Sequence, residues 1–231
     1  MNDCTLYLVG TSIGNPTDIS LRAIELLKAP GILLCEERKT ASKLYKFLNI
    51  PFPVHFLVNE HTSNSEITEI FQKIREVKKA VLISDAGMPA FCDPGQGFIE
   101  KIRTMGAIVR AVPGPTALTT ALSLLGIGNR PFYFAGFPPR VTSERELFFR
   151  SLTSCKLPVI LYETPYRLEK LILEIKKVFP AQKKVAIFVN LTEEKEQQIF
   201  STIRDLNPLM INEGPPVIVL YDDQPEKKGK I

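Results

Sequence analysis

The stretch AVLISDAGMPAFCDPG, residues 80–95, carries two carboxylates, Asp85 and Asp93, in a loop that directly follows an apolar run. That run reads as a buried strand, and in an open α/β sheet ligands bind outside the carboxyl ends of the strands. Carboxylates placed there can accept hydrogen bonds from a ligand's hydroxyl or ammonium groups. Gly87 and Gly95 admit positive φ and close approach to the backbone, while Pro89 and Pro94 stiffen the loop. An ordinary turn, with Asp93-Pro94-Gly95 leading into a helix, fits the composition equally well. A second acidic pair, Glu36-Glu37, follows the apolar run Ile32 to Cys35 and falls at the same sheet edge as Asp85.

Two further loops share this grammar. Residues 107–118, AIVRAVPGPTAL, run from an apolar stretch into Pro113-Gly114-Pro115 and then a helix that starts near Thr116. Free N–H groups at such a start suit carboxylate or phosphate ligands. Residues 6–16, LYLVGTSIGNP, place Gly10 and Gly14 around Thr11 and Ser12 just after a short strand. None of the three contains GxGxxG or GxxxxGK[ST], so neither a dinucleotide fold nor a P-loop is indicated. Cys4, Cys35, Cys92 and Cys155 are widely spaced, with His55 and His61 as the other soft ligands. No zinc site or disulfide framework is expected, and a reduced, cytoplasmic protein is the default. Cys92 reads as a small filler rather than a nucleophile.

These loops need a scaffold to hold them. Strand patterns at 6–10, 30–35, 54–58, 80–84 and 107–112 alternate with helix patterns at 18–28, 38–48, 63–78 and 95–105. In the first helix Ile19, Ala23, Ile24 and Leu27 belong to a broad apolar stripe, with Thr17 or Asp18 as the expected cap. Such alternation predicts a parallel sheet covered on both faces. Further strands are expected at 131–136, 158–162, 184–190, 197–202 and 215–221, with helices near 115–125, 143–153 and 165–178. The late strands follow one another through short connections, which predicts a partly antiparallel second sheet. The expected fold class is α/β with two αβα domains, a mainly parallel first sheet and a mixed second one. The domains span 1–113 and 114–223, and a mobile tail covers 224–231.

The 231 residues carry a net charge of +4 and are 45% hydrophobic and 23% charged, ordinary for a soluble globular chain and compatible with an anionic partner. No stretch reaches membrane-spanning length, and the amino end lacks the order of a signal peptide.

Seven segments in order carry a family resemblance: LYLVGTSIGNPTDISLRAIELLK (6–28), CEERKTASKL (35–44), NEHT (59–62), LISDAGMPAFCDPG (82–95), VPGPTALTTALSLLGI (112–127), FAGFPPR (134–140) and YETPYRL (162–168). Together they resemble the 16S rRNA ribose 2′-O-methyltransferase I family of the tetrapyrrole-methylase superfamily. The resemblance implies two αβα domains with S-adenosylmethionine bound in the cleft between them. It also implies RNA of the small ribosomal subunit as acceptor and a homodimer, with no metal and no membrane. On this reading Asp85 receives the donor's ribose hydroxyls or ammonium group, and Gly10, Gly87, Met88 and Ala90 line its pocket. Pro113, Gly114, Thr116 and Ala117 come from the PGPTA turn, and Tyr162 from YETPYR. A loop-bracing role is the alternative for Asp85.

A ribose hydroxyl is a poor nucleophile, and a base should help remove its proton. Glu36, Glu37, His61 and Glu163 stand in the matching segments and are the candidates; a surface position is the alternative for His61. Arg38, Lys39, Arg140, Arg145 and Arg167 are the candidates for RNA phosphates, with solvated helix turns and surface arginines as the alternative. Met88 stands where the family favours Thr, and EERKT where EDTRHT is usual. Val189-Asn190 replaces an Arg-Glu pair, and the chain stops short of a further carboxyl-terminal helical segment, so it is expected to be a divergent, short member. Two other functions stay open: methylation of a tetrapyrrole or other small molecule, and a degenerate, non-catalytic protein that binds the donor or RNA.

Overall fold

Five short apolar runs build the first sheet: β1 (Thr5–Val9), β2 (Ile32–Cys35), β3 (His55–Leu57), β4 (Lys79–Ile83) and β5 (Ile108–Val112). The computed structural model describes residues 4–222, and the expected tail, 224–231, lies outside them. The strands lie in the order β3-β2-β4-β1-β5, and every pair is parallel. Parallel neighbours need crossovers, supplied by α1 (Leu21–Lys28), α2 (Arg38–Phe47), α3 (Asn64–Val77) and α4 (Gln96–Thr104). Because side chains alternate along a strand, Leu33 and Val81 pack with Ala23, Leu27, Ala41 and Tyr45 of α1 and α2. Leu34 and Leu82 pack on the other face with Ile70, Ile74, Phe98 and Ile102 of α3 and α4. Burial on both faces is why β2 and β4 read as unbroken apolar runs. Truncating a side chain such as Leu34 to Ala would cost about 2–5 kcal/mol.

Helix starts are set locally. In α3 the Glu66 N–H donates to Ser63 Oγ at 3.3 Å and the Ser63 N–H returns to Glu66 at 2.7 Å, a reciprocal cap. The cap of α1 is Ser20, whose Oγ accepts from the Ala23 N–H at 3.1 Å, rather than Thr17 or Asp18. Those two residues are taken up by a 3₁₀ turn, Pro16–Asp18, capped by Asn15.

The chain divides into two compact units between Thr116 and Ala117. The second holds β6 (Tyr133–Gly136), β7 (Val159–Tyr162), β8 (Lys184–Val189), β9 (Gln197–Thr202) and β10 (Pro216–Tyr221). Their order is β6-β7-β10-β8-β9; the β6–β7 pair is parallel and the other pairs are antiparallel. With α5 (Ala117–Leu125), α6 (Thr142–Leu152) and α7 (Leu168–Val178), it encloses a core that includes Phe149, Leu171, Ile175, Ile187 and Ile218. Among the described residues no helix is long and apolar enough to cross a membrane.

The first sheet's order also fixes where a ligand should sit. From β2 the chain leaves through α2 towards one edge strand, β3, and from β4 through α4 towards the other, β5. The connections diverge between β2 and β4, and such a divergence opens a crevice at the carboxyl ends.

Candidate functional site

At that carboxyl edge the loops after β1, β4 and β5 are tied into one surface. The Gly10 N–H donates to the Val112 carbonyl at 3.0 Å, and the Thr11 N–H to the Gly87 carbonyl at 2.9 Å. Gly10 and Gly114 are in backbone contact: a Cβ on Gly10 would lie 2.7 Å from Gly114 Cα and 2.8 Å from Met88 Sδ. The loop after β4 is strongly bent. Ala90 (φ 62°) and Cys92 (φ 65°) both adopt the left-handed conformation that non-glycine residues avoid. The bend folds Asp93 back towards Ser84, whose hydroxyl hydrogen-bonds its carboxylate.

Three carboxyl groups meet here. Glu36, half-buried after β2, accepts from the Asp85 backbone N–H, and Asp85 in turn accepts from the Glu37 N–H; the Thr40 hydroxyl donates to Glu37 at 3.1 Å. Burial, then the charges of Asp93, Asp85 and Glu60, push Glu36 up to about 7. Burial, then Asp85, push Asp93 up to about 6; Asp85 stays open to solvent, but the protein packed around its carboxyl group, then Glu37, still raise it. Cys92 is exposed, which does not fit a packing filler; the protein around its thiol and the nearby Asp93 raise its pKa, which argues against a nucleophile. Beside these groups a cleft of about 300 Å³ is lined by Thr11, Ser12, Thr40, Lys43, Phe47 and Asp85, among others.

Glu36, Glu37, Asp85, Gly10, Gly87, Met88 and Ala90 therefore belong to the strand-end loops of one sheet edge. Pro113, Gly114 and Thr116 continue from β5 into Ala117, the first residue of α5. Asp85 braces the start of α2, so the bracing role and an exposed carboxylate coexist in one residue. His61 is on the surface, its side chain 85% exposed and 3.7 Å from Glu60. Arg38, Lys39 and Arg140 are exposed. Sequence reasoning left Asp93, Ser84, Thr40, Lys43 and Phe47 out of the site residues. Thr40, Lys43 and Phe47 sit three and seven residues apart on α2, a helical face that could have signalled a shared surface.

In the second unit the structure corrects two expectations. Arg145 is 1% exposed, with Nη1 donating to Glu163 at 3.1 Å and to the Pro139 carbonyl at 3.1 Å, and Nη2 to Glu174 at 2.6 Å. Such a guanidinium has no surface to offer an RNA backbone. Burial works against its charge, but Glu174 and Glu163 outweigh that and raise its pKa further. Glu163 is 3% exposed, takes the Thr164 N–H at 2.9 Å and is shared with Arg167 at 3.6 Å. Committed to two guanidiniums, it is a structural anion rather than a base. Arg167 keeps only a partial opening, since its Nη2 donates to the Pro139 carbonyl at 3.0 Å. Tyr162 packs edge-on against Phe134 and Phe137, at 5.1 and 5.6 Å between ring centroids.

The sequence model of the Tetrapyrrole (Corrin/Porphyrin) Methylases matches residues 5–207. The chain belongs to this family. It is accordingly a methyltransferase, and S-adenosylmethionine is its methyl donor. It is 36% identical over 230 residues to a Ribosomal RNA small subunit methyltransferase I of Leptospira borgpetersenii, covering 97% of this chain and 90% of that protein. The like-named protein of Neisseria meningitidis is 31% identical over 228 residues, 96% of this chain and 78% of its own. Among solved structures, uroporphyrin-III C-methyltransferase of Thermus thermophilus in complex with S-adenosylhomocysteine superposes with TM-score 0.66 at 17% identity. That match covers 94% of this chain and 97% of the other. A cobalt precorrin-4 methyltransferase superposes with TM-score 0.68 at 18% identity, covering 94% of each chain.

The residues at the sheet edge fit the donor. It carries a sulfonium and an ammonium group, and the crowded carboxylates Glu36, Asp85 and Asp93 lack cationic partners among the described residues. Gly10 and Gly114 keep side chains out of the loop contact, so backbone groups line that part of the edge.

Proposed function

We propose that this protein methylates a ribose 2′-hydroxyl of small-subunit ribosomal RNA. The observation that carries the reading is identity of 31–36% along nearly the whole chain to proteins named for that RNA. The likeness to tetrapyrrole methyltransferases, at 16–20%, carries the fold alone. S-adenosylmethionine supplies an electrophilic methyl group on sulfur. Asp85, Gly87, Met88, Ala90 and the Pro113-Gly114 turn would hold it, and Glu36 would receive the proton of the attacking hydroxyl. A carboxyl group pushed up to about 7 is about half ionised at neutral pH and holds a proton firmly enough to act as a general base. The oxygen–carbon bond forms as the carbon–sulfur bond breaks, the proton passes to Glu36, and S-adenosylhomocysteine leaves. Fixing donor and hydroxyl in line supplies much of the rate. Arg38, Lys39 and Arg140, all exposed, are available to RNA phosphates.

We take the protein to act in the cytoplasm, where its acceptor is assembled, and as a homodimer. Exposed Phe200, Leu209 and Met210, in or near edge strand β9, offer apolar area that association would cover. Sedimentation velocity checks the dimer. The acceptor is tested by incubating the protein with small ribosomal subunits and methyl-labelled donor, then hydrolysing the RNA in alkali. Label in an alkali-resistant dinucleotide supports a ribose 2′-O-methyl product. Absence of label, from protein that binds S-adenosylhomocysteine, would remove the rRNA reading and leave the methyltransferase assignment standing.

A further inference from the structure

The sheet face that carries α1 and α2 is incompletely roofed. Tyr7 is level with Arg110 and Val9 with Val112 across the β1–β5 pair, so alternation turns Ile108, Arg110 and Val112 to that same face. Val112 is covered, but Ile108 is 45% exposed and Arg110 is exposed. A hollow of about 580 Å³ remains, lined by Tyr7, Arg22, Leu26, Arg110, Ala111 and Val112. Arg22 spans its rim, with Nη2 donating to the Ala111 carbonyl at 2.8 Å, which engages one of the five guanidinium donors. No acid lines the hollow, and among the described residues neither arginine forms an ion pair. The hollow adjoins the carboxyl edge: Val112 ends β5, and Arg22 lies in the first turn of the helix that leaves β1.

We propose that this hollow binds the sugar–phosphate backbone of the RNA acceptor, with phosphates on Arg22 and Arg110 and a sugar or base against Tyr7 and Leu26. The proposal rests on the RNA reading above and adds a contact which that reading does not require. Guanidinium forks match phosphate oxygens, and two of them without acidic neighbours beside the apolar Leu26 and the ring of Tyr7 suit a nucleotide rather than a bare ion. The site would fix the strand's register while the strand-end loops do the chemistry. The test is fluorescence anisotropy with a fluorescein-labelled single-stranded RNA of about 20 nucleotides, across a salt series, on the parent, Arg110→Gln and Arg110→Glu. Arg110→Gln is expected to weaken binding and to make the log-affinity against log-salt slope shallower by about 0.7, one phosphate contact on a single strand. Arg110→Glu should weaken it about tenfold or more, with S-adenosylhomocysteine affinity by calorimetry unchanged. If the parent binds RNA and Arg110→Glu keeps both affinity and slope, the hollow is not an RNA site and the RNA reading survives. If the parent binds no RNA, the proposal falls, and the acceptor reading is decided by the labelling of small ribosomal subunits. If Arg110→Glu instead changes the sedimentation coefficient with RNA affinity intact, the hollow faces a second copy of the chain and the proposal is overturned.

Discussion

Charged residues gather at strand ends in both units, on opposite terms. After β2 and β4, Glu36, Asp85 and Asp93 crowd together with N–H and hydroxyl donors, and among the described residues none forms an ion pair. After β7, Glu163 is flanked by Arg145 and Arg167, and Glu174 completes the cluster. The first arrangement keeps like charges at close range and raises carboxyl pKa values, which makes it the candidate for a working site. The second neutralises its charges so thoroughly that they can be buried, and it pins the Pro138-Pro139 turn through backbone carbonyls. Richness in charge is therefore a poor guide to function by itself. What separates the clusters is whether the protein supplies the counter-charge or leaves it to a ligand.

The largest expected effect breaks the compensated cluster. Arg145→Met leaves Glu163 and Glu174 without their shared cation, and losing one partner of a buried pair costs about 3–5 kcal/mol. Urea unfolding should show that loss, and the double change Arg145→Met with Glu163→Gln should recover part of it. A destabilisation below about 1 kcal/mol would mean that the pairing is as dispensable as a surface salt bridge.

Glu36→Gln tests the uncompensated cluster. The expected outcome is a ~10²–10⁴-fold fall in turnover with no loss of stability at neutral pH, where the uncharged amide escapes the cost of ionising Glu36. In the parent, the rate should rise as pH increases through about 7, because only the ionised carboxyl group accepts the proton. The Gln variant should lose that dependence. A variant that keeps turnover but loses stability would place Glu36 with Arg145 among the structural groups.

A smaller effect is expected where loops meet without charge. Gly10→Ala puts a methyl group 2.7 Å from Gly114 backbone atoms, which cannot yield as a flexible side chain can. Overpacking of this kind costs about 1–3 kcal/mol, and S-adenosylhomocysteine affinity should fall with it as the β1 and β5 loops part. Calorimetric titration beside a thermal melt separates the two.

The scaffold was legible because its central strands are buried on both faces and punctuated by Gly and Pro. ILLC and AVLI leave little choice, and β2 and β4 fall where those runs predict. The sheet-edge position of Glu36 and Asp85 followed from the strand-end rule alone. Asp93 was harder to place, since its approach to Ser84 depends on left-handed Ala90 and Cys92, and neither residue type advertises positive φ. Arg145 misled because its neighbours in FPPRVTSER are polar. Its phase held the better signal: Arg145, Phe149 and Leu152 fall on one helical stripe, and all three are buried. Glu174, 29 residues away, could be supplied only by the fold. Val189-Asn190 has a similar lesson. Val189 is fully buried, and Asn190 Nδ2 donates to the Glu213 carbonyl at 2.9 Å, so the altered pair holds the end of β8 to the turn before β10.

The finest discrimination between the two clusters is their response to pH. Glu36 rises from its ordinary 4.5 to about 7 in the folded protein, so across that window the folded state retains a proton that the unfolded chain has released. Stability of the first unit should therefore fall as pH rises from about 4.5 to about 7 and level off above it. Asp93, raised from 3.8 to about 6, adds a contribution of the same sign at lower pH. Hydrogen exchange, expressed as protection factors to remove the intrinsic effect of pH, should show Leu34 and Leu82 losing protection between pH 5 and 7.5. Ile187 and Ile218, whose unit pairs its charges with arginines, should change less. Asp93→Asn sharpens the contrast, because Asp93 is the foremost of the charges that raise Glu36. Removing it should move both the stability slope and the midpoint of the pH–rate profile towards lower pH while leaving the second unit untouched. Burial, the larger cause, remains, so the midpoint should stop well short of an ordinary glutamate's value; a full return there would mean that charge crowding, not burial, sets the pKa of this site.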